Sequence, residues 1–180
     1  MTMARDQALS IMARLGAQPA VAFYEGGVAS AISAVLSEMP LPFSVDEFGN
    51  IIVRVPGRSS EVSPLALVAH MDHPGFEAVA VHDGYLVGEA LGGVPESSFD
   101  KGVPLQVVLA DGERLSAETA GRHGDESERK VLIKLGQPRE VGLPCSVVFD
   151  LPDFLLDGDI IRMRAVDDLA GCGSILAVLA

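Results

Sequence analysis

Two short stretches of this sequence hold residue types that can do chemistry together. The first is His70-Met71-Asp72, which directly follows the apolar run Leu65-Ala66-Leu67-Val68-Ala69. Read as a buried strand, the run delivers an imidazole and a carboxylate to its C-terminal end. Side chains alternate along a strand, so His70 and Asp72 point to the same side. That spacing suits a metal-binding histidine whose other ring nitrogen is held by a carboxylate, which fixes the tautomer and raises the basicity of the ring. Each residue also has a plainer reading. His70 can be a hydrogen-bonded structural histidine, and Asp72 a turn residue ahead of His73-Pro74-Gly75.

The second stretch is Asp167-Asp168, between the run Ile160-Ile161-Arg162-Met163-Arg164-Ala165-Val166 and a short apolar segment. An aspartate just before a helix is an ordinary N-cap, accepting hydrogen bonds from free backbone amides. A cap accounts for one of the two carboxylates and leaves the other unexplained. An acidic pair at this position also suits a carboxylate shared by two divalent cations, whose charge several carboxylates and hydroxide must neutralise. Asp167 is the candidate bridge.

The elements that must position these residues follow from the apolar pattern. Leu9, Met12 and Leu15 form a weak helical stripe that Gly16 and Pro19 end. Val28, Ile32, Val35, Leu36 and Met39 recur at helical spacing, and Pro40 and Pro42 stop them. Phe43 to Val45 and Ile51 to Val55 read as a hairpin around Asp46-Glu47-Phe48-Gly49-Asn50. Leu65 to Ala69 is nearly all apolar, which predicts a strand covered on both faces by helices, and so an α/β layered domain. Beyond Pro74-Gly75 the texture becomes short β-runs with turns. Phe76 to Val81 and Tyr85 to Ala90 flank His82-Asp83-Gly84, and Leu105 to Ala110 and Glu113 to Thr119 flank Asp111-Gly112, a strong hairpin signal. Val131 to Leu135 and Cys145 to Phe149 add strands, and Ala120 to Lys130 reads as a polar, mobile loop. The expected fold is therefore α/β: a partial α/β/α layered domain interrupted by an inserted small β-barrel. Residues 1–73 form the first part of the α/β domain, 74–159 the β-barrel, and 160–180 the return to the first domain. Leu169, Cys172, Ile175, Leu176 and Leu179 give the returning helix its apolar face.

Composition narrows the partners. The 25 acidic against 13 basic residues give a formal charge of −12, a surface that repels nucleic acid and anionic membranes. Cys145 and Cys172 are the two cysteines, too few for a disulfide framework and not in a metal-type pair, so both read as buried thiols of a reducing cytoplasm. No run has the length of a membrane span, and no secretory signal is read, so a cytoplasmic location is expected. His73, His82 and His123 read as loop residues. Gly92-Gly93 reads as a bulge or tight bend, lacking the lysine and following helix of a phosphate loop. Ser97-Ser98 has no nearby histidine and aspartate pattern that suggests a serine nucleophile.

Three segments taken together resemble a family. Phe48-Gly49-Asn50-Ile51-Ile52, Val68-Ala69-His70-Met71-Asp72-His73-Pro74-Gly75-Phe76 and Ala165-Val166-Asp167-Asp168-Leu169-Ala170-Gly171-Cys172 look like the tetrahedral (TET-type) aminopeptidases, of the wider clan of dinuclear zinc aminopeptidases and deacylases. The resemblance implies that His70 is a terminal ligand to one metal, that Asp167 bridges two, and that Asp72 is the catalytic residue orienting His70. It implies two divalent metal ions, zinc first with cobalt or manganese as alternatives, a peptide substrate cut at its N-terminal bond, and a homo-oligomer built through the inserted β-domain.

The sequence departs from that pattern in places. The family has a Glu-Glu pair beyond the bridging aspartate, supplying the general base and a ligand, and this sequence has no Glu-Glu pair. Leu169 stands where a basic residue is usual, Asp168 where asparagine is frequent, and His73 where an acidic residue is usual. The chain is therefore expected to be the N-terminal portion of a longer protein, and inactive by itself. An N-acyl amino acid deacylase of the same clan, or a non-catalytic assembly module, is the alternative.

Overall fold

The computed structural model describes residues 2–58, 62–63 and 65–180. Two compact units divide the chain: one comprises residues 1–18, 26–71 and 153–180, and the other 19–25 and 72–152.

Among the described residues, the first unit holds three helices and two hairpins. Helix α1 (Thr2–Gly16) and helix α2 (Gly26–Ser37) form where the apolar spacing predicts them. Val28, Ile32, Val35 and Leu36 are buried along α2, and Leu15 is fully buried on α1. Strand β1 (Phe43–Val45) pairs antiparallel with β2 (Ile51–Val53). The turn between them is held by Asp46, which accepts from the Phe48 and Asn50 amides and from the Asn50 side chain. Those bonds favour the charged carboxylate and pull its pKa down. A second hairpin, β9 (Leu155–Asp157) with β10 (Ile160–Arg162), precedes helix α3 (Val166–Leu179). Leu169, Cys172 and Leu176 are buried on α3, while Ile175 and Leu179 are half-buried.

One expectation for this unit fails. Leu65 to Ala69 is not a buried strand: it pairs with no other strand among the described residues, and Leu65, Leu67 and Val68 are exposed. A wholly apolar run becomes a central strand only where neighbouring strands and covering helices exist, and its composition alone supplies neither. The α/β/α layering inferred from that strand is accordingly not confirmed among the described residues. Among the described residues, the sheets of this unit are the two hairpins. The coarser description, a mixed α/β chain with three helices and a closed six-stranded barrel, holds.

The second unit is that barrel. Strands β3 (Gly75–His82), β4 (Tyr85–Leu91), β5 (Pro104–Val108), β6 (Arg114–His123), β7 (Lys130–Leu135) and β8 (Cys145–Phe149) close in the order β3-β4-β7-β6-β5-β8, with β8 antiparallel to β3. Asp83-Gly84 and Asp111-Gly112 turn the chain as expected, and Gly84 and Gly112 take the positive φ that glycine permits. Phe76 fills the interior, edge-on to Phe99 and Phe149 at 5.8 Å each. Leu105, Val107, Val131, Ile133 and Val147 complete the core. The polar segment from Ala120 is more ordered than its composition suggests. It continues β6 to His123 and then forms a single 3-10 turn, Glu126–Glu128, closed by a reciprocal Asp125–Glu128 capping box.

The histidines of this unit are also more constrained than loop residues. His82 ends β3 and His123 ends β6, with ring centroids 4.9 Å apart. His73 is buried, at 2% exposure. Its Nε2 accepts the Ala20 amide at 3.1 Å, its own amide donates to the Ala20 carbonyl at 2.8 Å, and Nδ1 lies 3.0 Å from the Pro74 carbonyl. These partners require a neutral ring protonated at Nδ1. They fasten residues 19–25 to the barrel, helped by Gly75, where a Cβ would lie 2.2 Å from Val21 Cγ1, and by Tyr24, whose hydroxyl donates to Glu77 at 2.7 Å.

Candidate metal centre

The first unit brings together the ends of two segments far apart in sequence. His70 Nε2 lies 3.2 Å from Asp167 Oδ1. The imidazole is 53% and the carboxylate 93% exposed, so both present donor atoms to solvent.

The start of α3 explains why Asp167 is available. Asp167 and Asp168 both have non-helical backbone angles, and the peptide bond between them is cis. Asp168 Oδ1 accepts the Gly171 amide at 3.1 Å, the bond of an N-cap aspartate to the third amide of a helix. Asp168 is thus the cap that the sequence allowed for one of the two carboxylates. Asp167 is turned toward His70 instead.

The His70 backbone also meets α3. Cys172 is buried, and its thiol donates to the His70 carbonyl at 3.3 Å. Burial, with Asp168 nearby, pushes that thiol up to about 11, so it stays protonated and able to donate at neutral pH. A Cβ on Gly171 would lie 2.2 Å from Asp168 Oδ1 and 3.0 Å from Ala69 Cβ, so a side chain here would displace the Asp168 carboxylate and crowd Ala69. Arg164, whose side chain is 2% exposed, pairs with Asp153 and anchors the chain just before α3.

The donor chemistry fits a divalent ion in kind and spacing. Imidazole nitrogen and carboxylate oxygen are both zinc ligands, and two donors on one tetrahedral zinc are about 3.3 Å apart. The number of donors is short of a closed site. Among the described residues no group of three or more histidine, cysteine, aspartate or glutamate side chains could hold a metal ion. His70 and Asp167 are two donors, and a zinc ion takes four. Asp72 opens the barrel unit, half-buried, immediately before the His73 clasp. His73 is occupied by backbone partners and supplies no donor.

His70 and Asp167 were each singled out in the sequence, and the structure brings them within 3.2 Å. The contacts of Gly171, Cys172 and His73 were not signalled there. Gly171 and Cys172 act through the closeness of two segments about a hundred residues apart, and nothing local in the sequence signals that.

No family model matches the sequence, and no curated protein matches it. Solved structures do. An aminopeptidase from the archaeon Desulfurococcus kamchatkensis superposes with a TM-score of 0.78 at 21% identity, covering 97% of this chain and 52% of that one. The fold is that of the TET aminopeptidases, over about half their length. The Pyrococcus horikoshii TET1 peptidase, which can assemble into a tetrahedron or a large octahedral shell, matches with a TM-score of 0.74 at 20% identity, covering 94% of this chain and 54% of that one. A Thermotoga maritima protein described as an endoglucanase matches at 0.70 and 24% identity, covering 93% and 53%. The TET fold therefore accommodates nearly every residue of this chain, while the chain spans about half the length of each of these proteins. No helix among the described residues is long and apolar enough to cross a membrane.

Proposed function

We propose that this chain is part of a metal-dependent aminopeptidase, in which His70 and Asp167 hold divalent ions and Asp72 orients His70. The observation that carries the reading is the 3.2 Å approach of His70 Nε2 to Asp167 Oδ1, at the ends of two segments of a TET fold. Zinc, or cobalt or manganese in its place, would supply Lewis-acid polarisation of a scissile carbonyl when bound. The chain's own residues do the rest of what is assigned here. His70 offers an imidazole nitrogen and Asp167 a negative charge and a second oxygen suited to bridging. Asp168 neutralises the free amides at the start of α3, which keeps Asp167 out of the capping role. The preferred substrate is a peptide with a free N-terminus, and by likeness to the TET1 peptidase a homo-oligomer is the expected assembly.

The endoglucanase description of one neighbour favours a different bond. Glycoside hydrolysis needs two carboxyl groups facing each other across a sugar. Here Asp168 is committed to the Gly171 amide and Asp167 faces an imidazole, which suits a metal better than a sugar. The N-acyl amino acid deacylase reading would use the same two ligands and differs only in substrate.

The test is cobalt binding to the 180-residue chain, followed by its visible absorption. One weak site, lost in both His70→Ala and Asp167→Ala, supports the reading. Binding unchanged in both variants sinks it. With only two donors, aminoacyl anilide hydrolysis by this chain alone is expected to be negligible.

A further inference from the structure

We propose that Cys172 and Gly171 are positioning residues that hold the His70 backbone against the start of α3, so that its imidazole meets Asp167. The proposal rests on the metal reading for its consequence, while the clamp itself can be tested without metal. Its parts all lie in one compact unit. Residues 65–69 pair with no strand among the described residues. Two contacts of this segment reach α3. The Cys172 thiol donates to the His70 carbonyl at 3.3 Å across 102 residues of sequence. Gly171 sits against both Ala69 Cβ and the Asp168 carboxylate, where a side chain would displace the carboxylate and crowd Ala69. The same turn of α3 therefore caps itself through Asp168, receives Ala69 at Gly171 and grips His70 at Cys172. A hydrogen bond to the carbonyl of a ligand residue sets where its Cα lies, and so where its ring can reach, as outer-shell partners of metal ligands do.

The experiment uses the metal-free chain labelled with nitrogen-15 in histidine. Asp167→Ala supplies the reference spectrum of a His70 ring without its carboxylate. Cys172→Ala removes the donor, Cys172→Val removes it while filling the space, and Cys172→Ser keeps a hydroxyl donor. Expected are His70 ring signals that move to the Asp167→Ala positions in the Ala and Val variants and stay near wild type in the Ser variant, with barrel amide signals unchanged in all. Cobalt affinity should then fall about 10- to 100-fold in the Ala and Val variants. His70 signals unmoved in both Ala and Val variants would overturn the proposal, as would a Ser variant identical to Ala. If wild type binds no cobalt while the ring signals follow the expected pattern, the clamp stands and the metal reading falls.

Discussion

Asp168 Oδ1 accepts the Gly171 amide at 3.1 Å, and this bond divides the labour of the two adjacent carboxylates at the start of α3. One stabilises the helix and its neighbour faces His70.

The two aspartates should therefore separate on mutation. Asp168→Ala is expected to cost about 1 kcal/mol of stability through loss of the cap. Asp167→Ala, with its carboxylate in solvent, should leave stability within about 0.5 kcal/mol and abolish cobalt binding. Urea unfolding and the cobalt titration read the two effects independently. Equal stability losses would contradict the division.

His73 should behave as a buried backbone clasp. His73→Ala leaves the Ala20 amide without its ring acceptor, at an expected cost of about 1–3 kcal/mol. His73→Gln, which can offer an amide oxygen at similar reach, should recover part of that loss. Urea midpoints of the two variants decide the matter, and a His73→Ala variant as stable as wild type would exclude a clasp.

Tyr24 gives an alkaline limit. Burial, reinforced by its hydrogen bond to the Glu77 carboxylate, pushes its hydroxyl up to about 12. The folded state then holds this proton where the unfolded chain, with an ordinary tyrosine near 10, has released it. The stabilisation is fully present below about pH 10 and declines as pH rises from there toward 12. Phenolate absorbance should show one of the two tyrosines titrating late, and Tyr24→Phe should flatten the fall in stability over that range.

Both thiols should be silent in the folded chain. Burial is the main cause that raises Cys145 and Cys172 above the ordinary thiol value. A disulfide reagent at neutral pH should modify neither within the time needed to modify both in denaturant. Rapid native labelling of Cys172 would show that α3 frays from the His70 segment.

The barrel was legible because its signals are local. Asp83-Gly84 and Asp111-Gly112 turn adjacent strands, and the alternation through Phe76, Ala78 and Leu105, Val107 is read without knowing what lies opposite. The strand expected at Leu65 to Ala69 failed because burial of a uniformly apolar run depends on elements elsewhere in the fold. Asp167 was singled out by arithmetic, since a cap needs one carboxylate and the sequence has two. His73 was misjudged as a loop residue because Pro74-Gly75 announces a turn, while its true partner, Ala20, lies 53 positions earlier.

Closure of the barrel through β8 and β3 has one further consequence. Every strand of that unit has a neighbour on each side, so most of its backbone is already engaged, with β8 covering β3 at Phe76, Glu77 and Ala78. Where the ladder is closed, side chains alone face outward, and they can change by point substitution without disturbing the ladder beneath. Among the described residues, the hairpins β1–β2 and β9–β10 and the part of β3 beyond Ala78 retain open edges at which another segment can extend a sheet.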